Sequence, residues 1–295
     1  MNSQQSSLSR ELERVVLIGA RGFIGASLQR QLEAQRIPTL PLTSADVDLV
    51  DAGAVALLVT LLKPTDSVVM LAALTPDKGR DIATLMKNLA MMQNVCAAIE
   101  KTGCTHFVYF SSDAVYDPSV SYVSEGTPAS PPDLYGAMHY TREIMACSLF
   151  NIPVLVLRPT IVYGADDTHN SYGPNRFRRM AKKDGKITLF GDGEETRDHI
   201  HVDDVAALTV FCLLRGSTGI LNIATGVSRS FREVAEFVAK QFGNSVEIIA
   251  TPRANPITHR HYDVTKLIKA FPDFRFIALA EGVISIHRQT TGESA

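Results

Sequence analysis

Three stretches of this 295-residue chain hold side chains whose type and spacing could do chemistry. FSSDAVYD (110–117) follows an apolar run and presents Ser111, Ser112 and Asp113 where a strand would end. YGAMH (135–139) opens a helical pattern and sets Tyr135 and His139 four residues apart, so both side chains point into the same space. GARGFIG (19–25) places Gly19, Gly22 and Gly25 three apart, with Arg21, Phe23 and Ile24 between them. Hydroxyls, an acid and a phenol at the carboxyl edge of a parallel sheet lie where a substrate would meet a bound cofactor. Spaced glycines between a strand and a helix let the backbone turn tightly, and the helix N-terminus then offers N–H groups and its dipole to a pyrophosphate. Read without a ligand, the same stretch is a glycine-rich strand-to-helix turn.

The elements that must position these groups follow from apolar periodicity. VVLI (15–18) is a short buried strand, and Ile24, Leu28 and Leu32 mark one face of the helix after it. Further strands are expected at 38–42, 67–71, 106–110, 153–157 and 220–223, with helices over 83–101 and 134–150. Nearly all-apolar strands alternating with helices predict a parallel sheet covered on both faces. In the 83–101 helix, Leu85, Leu89, Met92, Cys96 and Ile99 form the packing strip; a second strip, Met86, Ala90 and Ala97, suits a subunit interface. From about Ala165 the alternation breaks into a loop-rich stretch with one strand at 187–190, followed by helices at 202–214, 230–242, 264–271 and 279–287 and a strand at 246–249. The expected fold is α/β: a doubly wound, Rossmann-type parallel sheet with a smaller, interleaved C-terminal α/β substrate lobe. Residues 1–14 read as a disordered tail, 15–165 with 196–225 as the dinucleotide-binding domain, and 166–195 with 226–295 as the substrate lobe. The default ligand site is the crevice at the carboxyl ends of the strands.

Composition limits the function classes. With 45% hydrophobic and 20% charged residues and a net charge of −2, the chain is an ordinary globular protein with no global pull toward nucleic acid or membranes. RFRRMAKK (176–183) concentrates five bases; it reads as a solvated helix face that could also reach a phosphate. Cys96, Cys104, Cys147 and Cys212 show no paired spacing, which predicts no disulfide framework or zinc site and fits a reducing cytoplasm. No apolar run approaches a membrane span, and the polar N-terminus lacks the apolar core of a signal peptide, so a cytoplasmic protein is expected.

GARGFIG, FSSDAVYD and YGAMH together resemble the extended short-chain dehydrogenase/reductase family, the NAD-dependent epimerase/dehydratase group. LAA (71–73) is similar to the loop that passes the cofactor's ribose, Asn88 to the family's helix asparagine, and RPTIVYG (158–164) and TRDHIHVDDVA (196–206) to family signatures in sequence and order. The resemblance spans roughly residues 15–285. It implies hydride transfer between a nicotinamide and a sugar carbon. A sugar hydroxyl is a very weak acid, so its oxidation needs a base, and carbonyl reduction needs the same group to return a proton. The resemblance gives that role to Tyr135, with its pKa lowered toward neutral; Ser112 bonds the same substrate oxygen and Asp113 faces the sugar. It gives contact with the cofactor to Gly19, Arg21, Gly22, Phe23, Ile24, Gly25, Thr43, Leu71, Ala72, Ala73, Asn88, Ser111, Tyr135, His139, Pro159 and Val162.

The chain departs from the family at 139, where the pattern has a lysine that lowers the tyrosine pKa and grips the nicotinamide ribose. An imidazole is shorter and only partly protonated near neutral pH. Either His139, as imidazolium or through a water, does a weaker version of that work, or the site mainly binds. An active enzyme with an unusual pH dependence, improved by His139→Lys, is the favoured reading. Ala114 stands where sugar-nucleotide 4,6-dehydratases carry a glutamate after the aspartate, which argues against dehydration and leaves epimerisation or 4-keto reduction open. No acid lies at the usual ribose position before Asp46, and Arg21 could meet a 2′-phosphate, as in NADPH-using family members with a similar Arg-Gly; NADP is favoured over NAD.

Asp198, His199, His201, Asp203 and Asp204 tempt a metal assignment, but their alternation along a strand-like stretch does not converge on one point, and no metal is expected. Asn175 and Arg176 are candidates for the nucleotide end of the substrate, Arg197 is a further substrate-binding candidate, and the resemblance implies that Arg260 could meet the nucleotide diphosphate, arginine being suited to two phosphate oxygens at once. The expected partners are a nucleotide sugar and a second copy of the chain, a homodimer through the 83–101 and 134–150 helices. Two rivals stand beside the enzyme reading: a cofactor-binding protein with little turnover, and a reductase of a non-nucleotide carbonyl.

Overall fold

The computed structural model describes residues 10–167, 169–254 and 256–292. In chain order the elements begin β1 (Val15–Ile18), α1 (Phe23–Ala34), β2 (Thr39–Leu42), α2 (Ala54–Leu61), β3 (Ser67–Met70), α3 (Ile82–Thr102) and β4 (His106–Phe110). They continue through β5 (Tyr122–Val123), α4 (Leu134–Cys147), β6 (Val154–Pro159), β7 (Ile161–Tyr163), α5 (Pro174–Asp184), β8 (Lys186–Phe190), β9 (Thr196–His201) and α6 (Val202–Arg215). The remainder is β10 (Gly219–Ile223), β11 (Ser228–Ser230), α7 (Phe231–Lys240), β12 (Glu247–Thr251), β13 (His261–Tyr262), α8 (Thr265–Ala270) and α9 (Leu279–Thr291).

The chain divides into two compact units. The first runs to Val115 and includes Ala129–Arg158 and Val205–Leu221; the second holds Tyr116–Pro128, Pro159–Asp204 and the chain from Asn222 onward. This division differs from the expected one: 116–128, 159–165, 196–204 and 222–225 fall in the second unit, where β9 pairs with β7 on one side and β11 on the other in a separate small sheet.

The main sheet has the order β10-β6-β4-β3-β1-β2, and β2 through β6 pair in parallel. The order reverses between β1 and β3, which makes this the doubly wound α/β sheet the sequence predicts. Val16, Ile18, Val68, Met70, Phe107 and Tyr109 project to one face and form a core with α2, α3 and α4, while their alternate neighbours turn to the other. On α3 the buried stripe is broader than expected: Asn88, Met91, Val95 and Ala98 join Met92, Cys96 and Ile99, whereas Leu85 and Leu89 are half-buried.

Three local expectations are corrected. Residues 1–9 of the expected tail lie outside the described residues, but 10–14 are tied down. The Arg10 guanidinium donates to the Leu213 carbonyl at 2.9 Å and the Ser67 hydroxyl at 2.7 Å, and Arg14 binds Asp66 through both carboxylate oxygens. The loop-rich stretch after Ala165 contains α5. Pro174 at its first position and left-handed Gly185 at its end are the usual helix brackets, hidden in the sequence by the density of turn residues. The helix from Leu134 stops at Cys147, not at 150. Among the described residues, no helix is long and apolar enough to cross a membrane.

Candidate active site

The first unit gathers the glycine turn, the 71–74 loop, the end of β4 and the start of α4. Gly19 has φ +99°, and a β-carbon there would lie 2.8 Å from the Ala72 nitrogen. The close approach exists because both Leu71 and Ala72 donate their N–H groups to the Ile18 carbonyl. At Gly25 a β-carbon would meet the Gly19 carbonyl oxygen at 2.4 Å, so α1 can sit on the turn only without a side chain there. No side chain caps the start of α1, which leaves the amides of Phe23 and Ile24 open to an anion beside Gly22 and Arg21. Beside the turn is a largely apolar cavity lined by Gly19, Leu42, Thr43, Val47, Ala72 and Leu74. Uncapped amides, a side-chain-free cradle and an adjoining apolar slot fit a dinucleotide.

Leu74 also lines a second cavity, with Thr84, Asn88, Asp133, Tyr135 and Met138. Asn88 sets this loop: its amide oxygen accepts from the Leu74 N–H at 2.8 Å and its amide nitrogen donates to the Leu74 and Thr84 carbonyls. Its side chain is buried and committed to the loop. Thr43 is likewise engaged, its N–H and hydroxyl both donating to the Asp46 carboxylate.

The chemical groups meet across a short turn. Ser112 and Asp113 follow β4, and the Ser112 hydroxyl and the Tyr135 phenol interact. Asp133 caps α4 by accepting from the Gly136 N–H at 2.9 Å. A β-carbon at Gly136 would stand 2.2 Å from the Ala114 carbonyl oxygen, so this glycine lets the helix carrying Tyr135 approach the turn carrying Asp113. Ser111, expected at the cofactor, instead donates its hydroxyl to Glu143, which also holds Arg158 in a buried ion pair at 2.6 Å.

Two ionisation states differ from the sequence expectation. Burial pushes the Tyr135 phenol up to about 12, with Asp113 adding to the rise and Ser112 and Arg142 opposing it. Tyr135 is therefore a protonated phenol at neutral pH, where a pKa lowered toward neutral was expected. His139 is buried, its Nδ1 lies 2.8 Å from the Tyr109 hydroxyl, and burial followed by the Arg142 charge drives its pKa down to about 3. It is a neutral imidazole, not an imidazolium, and stands edge-on to Tyr135 with ring centroids 4.7 Å apart.

Pro159, Val162, Asn175, Arg176, Arg197 and Arg260 all lie in the second unit. Pro159 ends β6, buried, and Val162 is half-buried on β7. Asn175 is buried and accepts from the Gly164 N–H at 3.1 Å. Arg197 donates to the Thr258 carbonyl and hydroxyl, and Arg260, also buried, donates to the Asp117 carbonyl at 2.8 Å over the Tyr116 ring. Arg176 differs: its guanidinium stacks 5.8 Å from the Tyr172 ring, and among the described residues its donors meet no acceptor. The carboxylate of Asp198 accepts from Thr225 and Gly226, and Asp204 accepts from the Ile277 N–H.

The family model for NAD dependent epimerases and dehydratases matches residues 15–224, more than two thirds of the chain. This protein belongs to the NAD dependent epimerase/dehydratase family. It is 27% identical over 270 residues to GDP-L-fucose synthase 1 of Arabidopsis thaliana, covering 82% of each chain. Its fold is similar to a GDP-L-fucose synthetase from Naegleria fowleri bound to NADP, with a TM-score of 0.84 and 17% identity over 98% of this chain and 99% of the other. It is also similar to a UDP-N-acetylglucosamine 4-epimerase from Methanobrevibacter ruminantium, with a TM-score of 0.83 and 20% identity over 97% and 100%.

For this family member the sequence reading passed over Tyr109, Gly136 and Arg142. Gly136 carried a signal, a poor helix former in the first turn of a helix. Tyr109 and Arg142 read as core and surface residues, and only the fold brings them beside His139.

Proposed function

We propose that this protein transfers hydride between a nicotinamide dinucleotide and the sugar of a nucleotide sugar, as a 4-keto reductase or an epimerase, with Tyr135 as the proton donor and acceptor. The observation that carries this reading is the adjacency of two cavities sharing Leu74, one against the glycine turn and one against Tyr135. When bound, the dinucleotide supplies or accepts the hydride. Ser112 orients the reacting oxygen, Asp113 faces the sugar, and Tyr135 exchanges the proton. A phenol held protonated through neutral pH can deliver a proton to a carbonyl oxygen.

NADP is the proposed cofactor. Arg21 is exposed at the turn, close enough for its charge to act on Asp46, and a structural relative was solved with NADP. A homodimer is proposed through α3 and α4, which pack side by side and leave Ile82, Met86, Tyr140 and Ile144 exposed.

Incubation with NADPH or NADH and a panel of nucleotide sugars and their 4-keto derivatives tests the proposal, read by reduced-nicotinamide absorbance and product stereochemistry. Cofactor consumption with a keto sugar identifies a reductase; inversion without net consumption identifies an epimerase. The neutral, buried His139 favours one other reading, a cofactor-binding protein. Tight dinucleotide binding with no turnover of any nucleotide sugar would establish that reading instead.

A further inference from the structure

Arg142 has no exposure to solvent, and among the described residues no carboxylate pairs with it. One terminal nitrogen donates to the Ala72 carbonyl at 3.0 Å, the other lies 3.8 Å from the Met138 sulfur, and Nε has no acceptor. Its Cζ stands 5.2 Å from the centre of the Tyr109 ring. The adjacent carboxylate, Glu143, is taken by Arg158. A guanidinium stays charged in proteins, and removing it from water costs several kcal/mol unless an anion or a full set of acceptors compensates. Here neither does, so the cation is held at a cost that folding alone does not explain.

An anion can form nearby. Arg142 lies two turns after Tyr135 on the same face of α4, and its side chain reaches back over Met138 toward the helix N-terminus. His139 and Tyr109, bonded to each other, occupy the intervening space and are both neutral. We propose that Arg142 is the permanent cation of this active site, a positioning residue that stabilises the Tyr135 phenolate formed whenever Tyr135 gives up its proton. Through Ala72 it also fixes that charge relative to the 71–74 loop. The proposal rests on the acid/base role given to Tyr135. It explains how the site keeps a positive charge although position 139 holds an uncharged imidazole.

The groups acting on Tyr135 divide by sign. Asp113 from the turn after β4 and Asp133 at the cap of α4 oppose ionisation, the Ser112 hydroxyl and Arg142 favour it, and His139 carries no charge. Among them Arg142 is the one positive group. Its charge also acts on Tyr109, together with Tyr135 and Glu143.

The test follows the Tyr135 ring carbon bearing the hydroxyl by NMR, with carbon-13-labelled tyrosine and Tyr135→Phe for assignment. The protein is titrated alone and saturated with oxidised NADP, so no turnover is needed. Arg142→Met, close in length and uncharged, should raise the ionisation midpoint of Tyr135 by about one pH unit, a tenfold weaker phenolate, and Arg142→Lys should restore it. The pH profile of kcat should move by the same amount. An unchanged midpoint in folded Arg142→Met protein would overturn the proposal. Should that variant not fold, Arg142→Lys and Arg142→Gln carry the comparison: a midpoint that is the same in both would overturn it equally. A protein that turns over no nucleotide sugar yet shows the shift would remove the proposed function and leave the role of Arg142 intact.

Discussion

His139 Nδ1 lies 2.8 Å from the Tyr109 hydroxyl, and both rings are buried. The pair fixes the imidazole as a neutral spacer between Tyr135 and Arg142, which changes what position 139 can do. A lysine there would stand beside a second buried cation and displace the bond to Tyr109. His139→Lys should therefore lower stability by about 1–3 kcal/mol, the cost of a buried unpaired polar group, and its gain in activity should be larger in an Arg142→Met background. Urea unfolding and kcat for the single and double variants check this.

Stability should fall as the solution is acidified below the ordinary histidine range. His106, His139 and His199 are buried and have pKa values driven down from 6.5 to about 4, 3 and 3. Each binds a proton more readily when the chain unfolds, so the penalty is absent above about pH 6.5 and grows as pH falls toward 3. Asp198 and Asp204, raised by burial from 3.8 to about 6, act with the opposite sign between those values. The acid loss should therefore be shallow down to about pH 4 and steeper below it. His199 is buried edge-on against Phe231, so His199→Leu should flatten the acid limb in melting curves taken against pH.

Gly136→Ala should disrupt the site without touching a reacting group. Its β-carbon would meet the Ala114 carbonyl oxygen and the Pro131 side chain, and the turn bearing Asp113 must move away. Overpacking of this kind costs about 1–3 kcal/mol. A loss of turnover exceeding the loss of cofactor affinity is the expected result, measured as kcat against the dinucleotide Kd.

Much of this was legible in the sequence. VVLI before the glycines and the apolar strands between helices predict the doubly wound sheet, because period and burial depend on local pattern. The placements of Ser112, Asp113 and Tyr135 also follow from strand ends and helix starts. What escaped depends on long-range packing. Nothing local says that His139 is dry, that Tyr109 bonds it, or that Arg142 turns inward, since an arginine on a helix is ordinarily a surface residue. Asn88 and Ser111 illustrate the same limit: their side chains are committed to Leu74 and Glu143 by contacts that cross the unit.

With NADP bound as proposed, cofactor preference should respond to two exposed residues, Arg21 and Asp46. Thr43 is bound by Asp46, whose carboxyl its hydrogen bonds hold below the usual range, with the Arg21 charge a smaller contribution. Arg21→Ala should weaken NADP binding several-fold and leave NAD binding nearly unchanged, whereas Asp46→Asn should strengthen NADP binding by removing a negative charge near the 2′-phosphate. Fluorescence titration with both dinucleotides measures this, and the effect should shrink in high salt.

The most direct test of the account is isotope transfer from NADPH deuterated at the nicotinamide carbon to a 4-keto nucleotide sugar. Wild-type protein should deliver deuterium to the sugar carbon, and Tyr135→Phe should bind the dinucleotide normally but transfer about 10²–10⁴-fold more slowly. Equal transfer by both proteins, or no transfer by wild type with cofactor and sugar both bound, would contradict it.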